Sequence, residues 1–350
     1  MTALQIVSFD SCCKTTLAAG IGRKLFNAGK KVGYIKPLHI SDSGTDAGCS
    51  DAEFVKKALE IEESTDVLCP IHVSQEDLWQ SLSEDAEDFG GKLKAACDKA
   101  AAGRDILIVE SPGGIKGDKV AELAAITLAD KLGSRVILVV CFSTGYRDQE
   151  LVQFAKKLGD KLIGMIINRV PEMKTATVQK EAAAFLKNES LALLGVLPEG
   201  RALLGISVAE LVAAVGGDLI TYPEKAGDLV ENVMLGAMTP DSGRDYFSRM
   251  KNKAVVTRSE RSDMQLAALD TSVKCLVVSG GKPTSSVMVK AEDKKVPIIV
   301  VSKGIQDIVS NIEQALATAK FDNLGKLQAI SSLLENRVDM KAISTELGLK

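Results

Sequence analysis

Short apolar runs alternate along the first part of the chain with segments whose apolar residues recur at helical spacing. Leu4–Ser8, Val32–Ile35, Ile106–Val109, Val136–Val140, Leu162–Ile167 and Leu193–Leu197 are rich in Val, Ile and Leu and do not alternate with polar residues. Runs of that kind predict strands buried on both faces. Leu17, Ile21 and Leu25 repeat every four residues and stop before Gly29, a suitable helix end. Leu78, Leu82, Ala86, Phe89 and Leu93 form a second helical stripe. Strand–helix alternation predicts an α/β fold, a parallel sheet with helices on both faces and right-handed crossovers. Ligands then collect beyond the carboxyl ends of the strands.

A softer stretch runs from Gly216-Gly217-Asp218 to Thr221-Tyr222-Pro223, and beyond it the alternation restarts. Lys253–Thr257, Cys275–Val278 and Ile298–Val301 predict strands; Asp263–Asp270, Ser285–Lys294 and Ile305–Ala319 predict helices. The expected organisation is a first domain over 1–220, a smaller α/β domain over 221–325, and a helical tail over 326–350 that packs on the second domain or on a partner. No solenoid period and no low-complexity tract interrupts this pattern.

Composition narrows the function classes. The chain has 350 residues, 46% hydrophobic and 25% charged, with a formal net charge of -3. That is the profile of a globular protein of about two domains. A duplex-binding protein needs a basic face, which this balance does not offer, and 4% aromatics leave little from which to build base-stacking platforms. The expectation is no nucleic-acid partner. No apolar run approaches the ~20 residues of a membrane span. Met1 to Gln5 leads straight into a strand pattern and lacks the order of a signal peptide. The expected compartment is therefore cytoplasmic, without membrane attachment. The seven cysteines, Cys12, Cys13, Cys49, Cys69, Cys97, Cys141 and Cys275, show no CxxC and no Cys/His ligand spacing, which suggests free thiols. With only His39 and His72 in the chain, a histidine triad or metal cage has little to draw on.

The strongest chemical signal follows the first strand. Ser8-Phe9-Asp10-Ser11-Cys12-Cys13-Lys14-Thr15-Thr16 leads into a helix, the setting of a phosphate-binding loop. Ser8 and Cys13 stand at the two glycine positions of the usual pattern, while Lys14-Thr15 are intact. Backbone N–H groups at a helix start bind phosphate oxygens. Lys14 reaches the terminal phosphates in such a loop, and the Thr15 hydroxyl ligates Mg2+. Glycine at the Cys13 position allows positive φ and close approach, and a Cβ there crowds both. Cys12 and Cys13 carry a second idea: a thiol at a helix N-terminus beside Lys14 favours its thiolate, so oxidation would block the site. The competing reading is two small residues in a tight turn.

Glu110 ends the strand Asp105–Val109, where an acid points into the ligand crevice and can hold Mg2+ directly or through water; a solvated loop acid is the alternative. Lys36-Pro37 place an ammonium at the same edge. Asp51 precedes the helical Ala52–Leu59, and either caps it or serves as a second Mg2+ ligand. Asn168, in Asn168-Arg169-Val170-Pro171, can pair with a donor and an acceptor on an adenine edge, or belongs to an ordinary turn.

These residues carry a resemblance. Residues about 1–215 resemble the dethiobiotin-synthetase-like P-loop domain at the N-terminus of long phosphotransacetylases. The matching pieces are the Lys14-Thr15 loop, Gly33-Tyr34-Ile35-Lys36-Pro37, Val109-Glu110, Ile167 to Pro171 and Leu194-Gly195-Val196-Leu197-Pro198-Glu199. Residues about 226–325 resemble the DRTGG domain that accompanies it, through Gly236-Ala237-Met238, Lys253 to Thr257, Arg261 to Leu269 and Leu276 to Gly281. The resemblance implies ATP and Mg2+ in the first domain. In the dethiobiotin synthetases the lysine matching Lys36 sits by the reacting carbamate and phosphate, the acids matching Asp51 and Glu110 ligate Mg2+, and the asparagine matching Asn168 contacts the base. The implied set is thus catalytic Lys14 and Lys36, with Thr15, Asp51 and Glu110 on the metal. Ser8, Asp10, Ser11, Cys12, Cys13, Lys14, Thr15, Thr16, Asn168, Arg169, Pro198 and Glu199 would line the nucleotide. The loop is one residue shorter than in typical relatives, and Thr257-Arg258-Ser259-Glu260-Arg261 lacks the usual glycine pair of the second domain.

The reading expected from this is an ATP- and Mg2+-binding regulatory or sensor protein of the phosphotransacetylase N-terminal type, without acetyltransferase activity of its own. Its second domain would read an unknown small molecule or protein partner, and its surfaces leave room for a homodimer. The alternative is an ATP-dependent ligase, like dethiobiotin synthetase or cobyrinic acid a,c-diamide synthase, that phosphorylates a carboxylate or carbamate. A scaffold with an empty crevice is the third reading.

Overall fold

The computed structural model describes residues 2–10, 14–40, 49–84, 86–237, 240–317 and 323–349. Two compact units emerge, one of residues 1–199 with 327–350 and the other of residues 200–326.

The first unit is built on six parallel strands, β1 (Thr2–Ser8), β2 (Val32–Ile35), β5 (Ile106–Glu110), β6 (Arg135–Cys141), β7 (Leu162–Val170) and β8 (Leu193–Pro198). Between β2 and β5 lie the three-residue strands β3 (Leu38–Ile40) and β4 (Ile71–Val73), which pair with each other. The main sheet has the order β2-β5-β1-β6-β7-β8. Side chains alternate across a strand. Val7 of β1 joins Val136, Leu138 and Met165 against the helices Lys119–Leu132, Gln149–Leu158 and Thr175–Asn188. Leu4 and Ile6, also buried, point to the opposite face. That face is covered by helix α1 (Lys14–Asn27), whose Leu17, Ile21 and Leu25 are all buried, as their spacing predicts. A Cβ on Gly22 would lie 3.0 Å from Ile108 Cδ1, so α1 rests closely on β5. The chain leaves β1 toward β2 and leaves β6 toward β7, on opposite sides, so a crevice opens at the carboxyl ends of β1 and β6.

The second unit carries a five-stranded sheet of β10 (Asp218–Leu219), β15 (Ile298–Val301), β14 (Val273–Ser279), β13 (Lys253–Arg258) and β12 (Asn232–Leu235), in that order. All pair in parallel except β10, which runs antiparallel along β15. A two-stranded ribbon joins β9 (Ile206–Ser207) to β11 (Leu229–Val230). Ala254, Val256, Cys275, Val277 and Ile299 pack on one face; Val255, Leu276, Val278 and Ile298 pack on the other. The soft stretch at Gly216-Gly217 therefore holds an edge strand. A Cβ on Gly217 would come within 2.8 Å of Val300 O, so glycine lets the edge close on β15.

The predicted strands recur with ends shifted by a few residues, and the second helical stripe divides between helices Gln75–Glu84 and Ala86–Ala100. Two features differ from the sequence reading. The tail, in helices Gly325–Arg337 and Met340–Glu346, belongs from Leu327 onward to the first unit. Val338 bridges to Gly195, Asp339 N donates to Leu194 O at 2.8 Å, and Ile330 and Leu334 sit over Gly20 of α1. The expectation of free thiols also needs correction. Cys49, Cys69, Cys97 and Cys275 are free, but Cys141 is disulfide-bonded. Among the described residues no helix is long and apolar enough to cross a membrane.

Candidate functional site

The carboxyl ends of β1, β5 and β2 lie side by side because parallel strands end at one edge. Their last residues and the start of α1 form a compact charged cluster. Lys14 opens α1 with its side chain buried; its Nζ donates to Ser8 Oγ at 3.3 Å and to Gly113 O. Ser8, at a position where the loop pattern has glycine, thus supplies an acceptor for the loop lysine. Gly113 has φ +52°, a left-handed conformation that turns its carbonyl at low strain.

Glu110, 1% exposed, is the hub. Thr15 Oγ1 donates to its Oε1 at 2.9 Å, and Tyr34 Oη donates to its Oε2 at 2.8 Å. Lys36 Nζ is 3.9 Å from Oε1 and 2.5 Å from Asp51 Oδ2, so one ammonium stands between two carboxylates. Burial pushes the Glu110 carboxyl above its usual range, against the pull of Lys36 and Lys14. Burial alone would lower Lys36, but Glu110 and Asp51 outweigh it and hold the amine above its ordinary value. The Tyr34 phenol is raised by burial and by Glu110, so it stays a donor. Asp51 lies in the first turn of helix α2 (Ser50–Leu59), which Cys49 precedes as N-cap without a side-chain bond. Its carboxylate is turned to Lys36, so the capping alternative for Asp51 is not the one adopted.

Asp10 works across the crevice. Its Oδ2 accepts from Cys141 N at 2.9 Å and from Thr144 Oγ1, tying the loop that leaves β1 to the end of β6. Ser11, Cys12 and Cys13 lie outside the described residues. Thr16 is half-buried in α1. Asn168 is nearly buried near the end of β7; its Oδ1 accepts from Arg169 N at 2.8 Å, and its carbonyl accepts from Phe142 N. Arg169 takes φ +56° and is exposed, with the β7–β8 register broken between Ile167 and Val170. Pro198 is buried opposite Val170, while Glu199 is exposed and donates its N–H to Val170 O at 2.8 Å. Thr15, Lys36, Asp51 and Glu110 thus share one bonded network, with Lys14 held by Ser8 and Gly113, and the second group gathers at the ends of β7 and β8.

Thr15, Asp51 and Glu110 offer only oxygen donors, a set suited to a hard cation such as Mg2+. Tyr34 belongs to the same network and went unnoticed in the sequence, since a tyrosine inside a buried strand reads as core.

The second unit has its own cavity, of about 660 Å3, at the carboxyl edge of its sheet. Gly236, Arg258, Glu260, Arg261, Gln306 and Asp307 line it. Arg261 is held by Asp263 at 2.8 Å.

A model of the AAA domain family matches residues 6–206, and a model of the DRTGG domain matches residues 210–315. Phosphate acetyltransferase of Pseudomonas putida is 22% identical over 358 residues, and that of Pseudomonas aeruginosa 21% over 369. Each alignment covers 95% of this chain and 50% of the relative, so the chain spans about half the length of these curated relatives. The pairing of a P-loop domain with a DRTGG domain fits the N-terminal part of long phosphotransacetylases. Among solved structures, the MinC:MinD cell division protein complex of Aquifex aeolicus is similar at 18% identity, with a TM-score of 0.38. That match covers 58% of this chain and 84% of the other.

Proposed function

Because the chain belongs to the AAA domain family over residues 6–206 and carries a DRTGG domain over 210–315, we propose that it binds Mg·ATP in its first unit and serves as a regulatory or sensor module. The observation that supports this most is the network of Thr15, Lys36, Asp51 and Glu110 at the strand ends, together with the buried loop lysine Lys14. Lys14, held by Ser8 and Gly113, exchanges those acceptors for the terminal phosphate oxygens. Thr15, Asp51 and Glu110 hold Mg2+, which neutralises phosphate charge when bound. Lys36 lies between the carboxylates and keeps their charge balanced while the cation is away. Asn168 faces the adenine, with Arg169, Pro198 and Glu199 beside it. The cavity lined by Arg258 and Gln306 takes the small molecule that the second unit reads.

Lys14→Ala tests the site. A ligand at 100 times its dissociation constant stabilises a protein by about 2.7 kcal/mol. The native chain should melt higher with Mg·ATP, and Lys14→Ala should show no shift. An equal shift in both, or none in either, rejects the assignment.

A second reading has one observation in its favour: Lys36 stands between the Asp51 and Glu110 carboxylates, an ammonium available to anionic substrate groups. In an ATP-dependent ligase a carboxylate or carbamate oxygen attacks the γ-phosphorus, the bond to the β,γ-bridging oxygen breaks, and ADP leaves. Phosphate release across a panel of carboxylates and diamines separates the readings. Turnover with one member favours the ligase; binding without release favours the sensor.

A further inference from the structure

Beside the charged network, three elements bring soft donors together. His39 comes from β3, Cys49 is the N-cap of α2, and Cys69 is the C-cap of the one-turn helix α3 (Thr65–Leu68). A ring nitrogen of His39 and the two Sγ atoms all lie within 4.8 Å of one another. Both cysteines are almost fully buried, and His39 is half-buried. We propose that His39, Cys49 and Cys69 bind one zinc ion, distinct from the Mg2+ site, with a fourth position open to water or an incoming ligand.

The chemistry selects zinc. Two thiolates and one neutral imidazole form a borderline-soft set that zinc accepts in tetrahedral geometry and that Mg2+ refuses. The separation from the oxygen-only donors of Thr15, Asp51 and Glu110 is therefore one of ligand type. Charge also balances: Zn2+ with two thiolates is neutral, so it tolerates the Lys36 ammonium nearby. The two Sγ atoms lie within 4.8 Å of each other, close enough for one ion to reach both. Zinc binding would release the thiol protons to solvent. Imidazole nitrogens bind zinc as lone-pair donors. His72 lies beside His39, tilted, at 5.3 Å between ring centroids and bonds Cys69 O through Nε2 at 3.0 Å, a brace on the ligand-bearing backbone.

The consequence is positional. Cys49 lies two residues before Asp51, and β3 begins two residues after Lys36. A metal joining these segments fixes the start of α2 and the end of β2, from which Asp51 and Lys36 meet. His39, Cys49 and Cys69 are positioning residues in that sense.

Cobalt serves as the optical probe. Chelator-treated full-length protein titrated with Co2+ should develop a thiolate-to-cobalt charge-transfer band and tetrahedral visible bands, saturating at one ion per chain and displaced by Zn2+. Cys49→Ser and Cys69→Ser should each abolish the charge-transfer band or cut Zn2+ affinity at least 100-fold, beyond the range of outer-shell changes. Cys97→Ser, which alters a buried thiol outside the cluster, should retain both. His39→Gln covers the case in which a cysteine variant fails to fold. It should melt like the native chain without metal, yet bind Zn2+ at least 100-fold more weakly. X-ray absorption of the zinc-loaded native chain should give two sulfur scatterers at ~2.3 Å and one nitrogen at ~2.0–2.1 Å. An oxygen-only shell, a charge-transfer band that survives both cysteine changes, or native affinity in His39→Gln overturns the proposal. Formation of a Cys49–Cys69 disulfide with no Zn2+ uptake after reduction overturns it too.

Discussion

Two buried polar side chains with opposite roles show what single residues contribute. Gln5, fully buried in β1, is satisfied: its Nε2 donates to Ser111 Oγ and Ala125 O, and its Oε1 accepts from Ser134 Oγ. It joins the strand to the helix Lys119–Leu132 and to the turn after it. Gln5→Leu keeps the volume but strands those partners, and a buried unmatched polar group costs about 1–3 kcal/mol. Urea unfolding should show a loss of that size without change in m. Glu110 is different, since burial opposes its charge even amid lysines. Glu110→Gln preserves shape while removing a charge that folding disfavours. Its melting temperature should stay at or above the native value, while Mg2+-dependent ATP binding falls at least tenfold by calorimetry. A large loss of stability would assign Glu110 to the scaffold.

Elements meet where side chains are missing. The tail reaches β8 because Gly195 leaves room; a Cβ there would lie 2.3 Å from Arg337 O, closer than packing allows. Gly20 plays the same part on α1, where a Cβ would come 2.8 Å from Ile330 and Leu334. Gly195→Ala forces the tail from β8 at a cost of about 1–3 kcal/mol, the usual range for overpacking. Hydrogen exchange should quicken in Met340–Glu346 and leave β1 unchanged; unaltered tail exchange would disprove the docking role. This attachment was not legible in the sequence, because a glycine that admits a neighbour looks like any other glycine. The strands were legible, since Val136–Val140 and Leu162–Ile167 are apolar on both faces as only sheet interiors need to be. The three-residue β3 and β4 carry too few positions for any period, so the sequence named His39 without placing it on a strand. Cys49 and Cys69 stand at helix caps 20 residues apart, so linear ligand spacing could not reveal their approach. Glu110 and Lys36 could be placed together from the sequence because parallel topology sends strand ends to one edge, whereas Asp51, on the first turn of a helix, was open between cap and ligand.

At the scale of the molecule, each unit has its own sheet, its own two-faced core and its own crevice at the carboxyl strand ends. A sensor must connect the two crevices energetically, whereas a ligase needs only the first. Coupling between sites is reciprocal and typically amounts to 1–3 kcal/mol. If the chain is a sensor, Mg·ATP in the first unit must change the opening equilibria of amides around Gly236, Arg258 and Gln306 in the second. The expected outcome is slowed hydrogen exchange at two places: the start of α1 with residues 110–117, and the edges of β12 and β13 beside the second cavity. Lys14→Ala should remove both effects together, because the distant one has no source but the bound nucleotide. Protection confined to the first unit would end the sensor reading and leave the ligase; protection that persists in Lys14→Ala would place the nucleotide elsewhere.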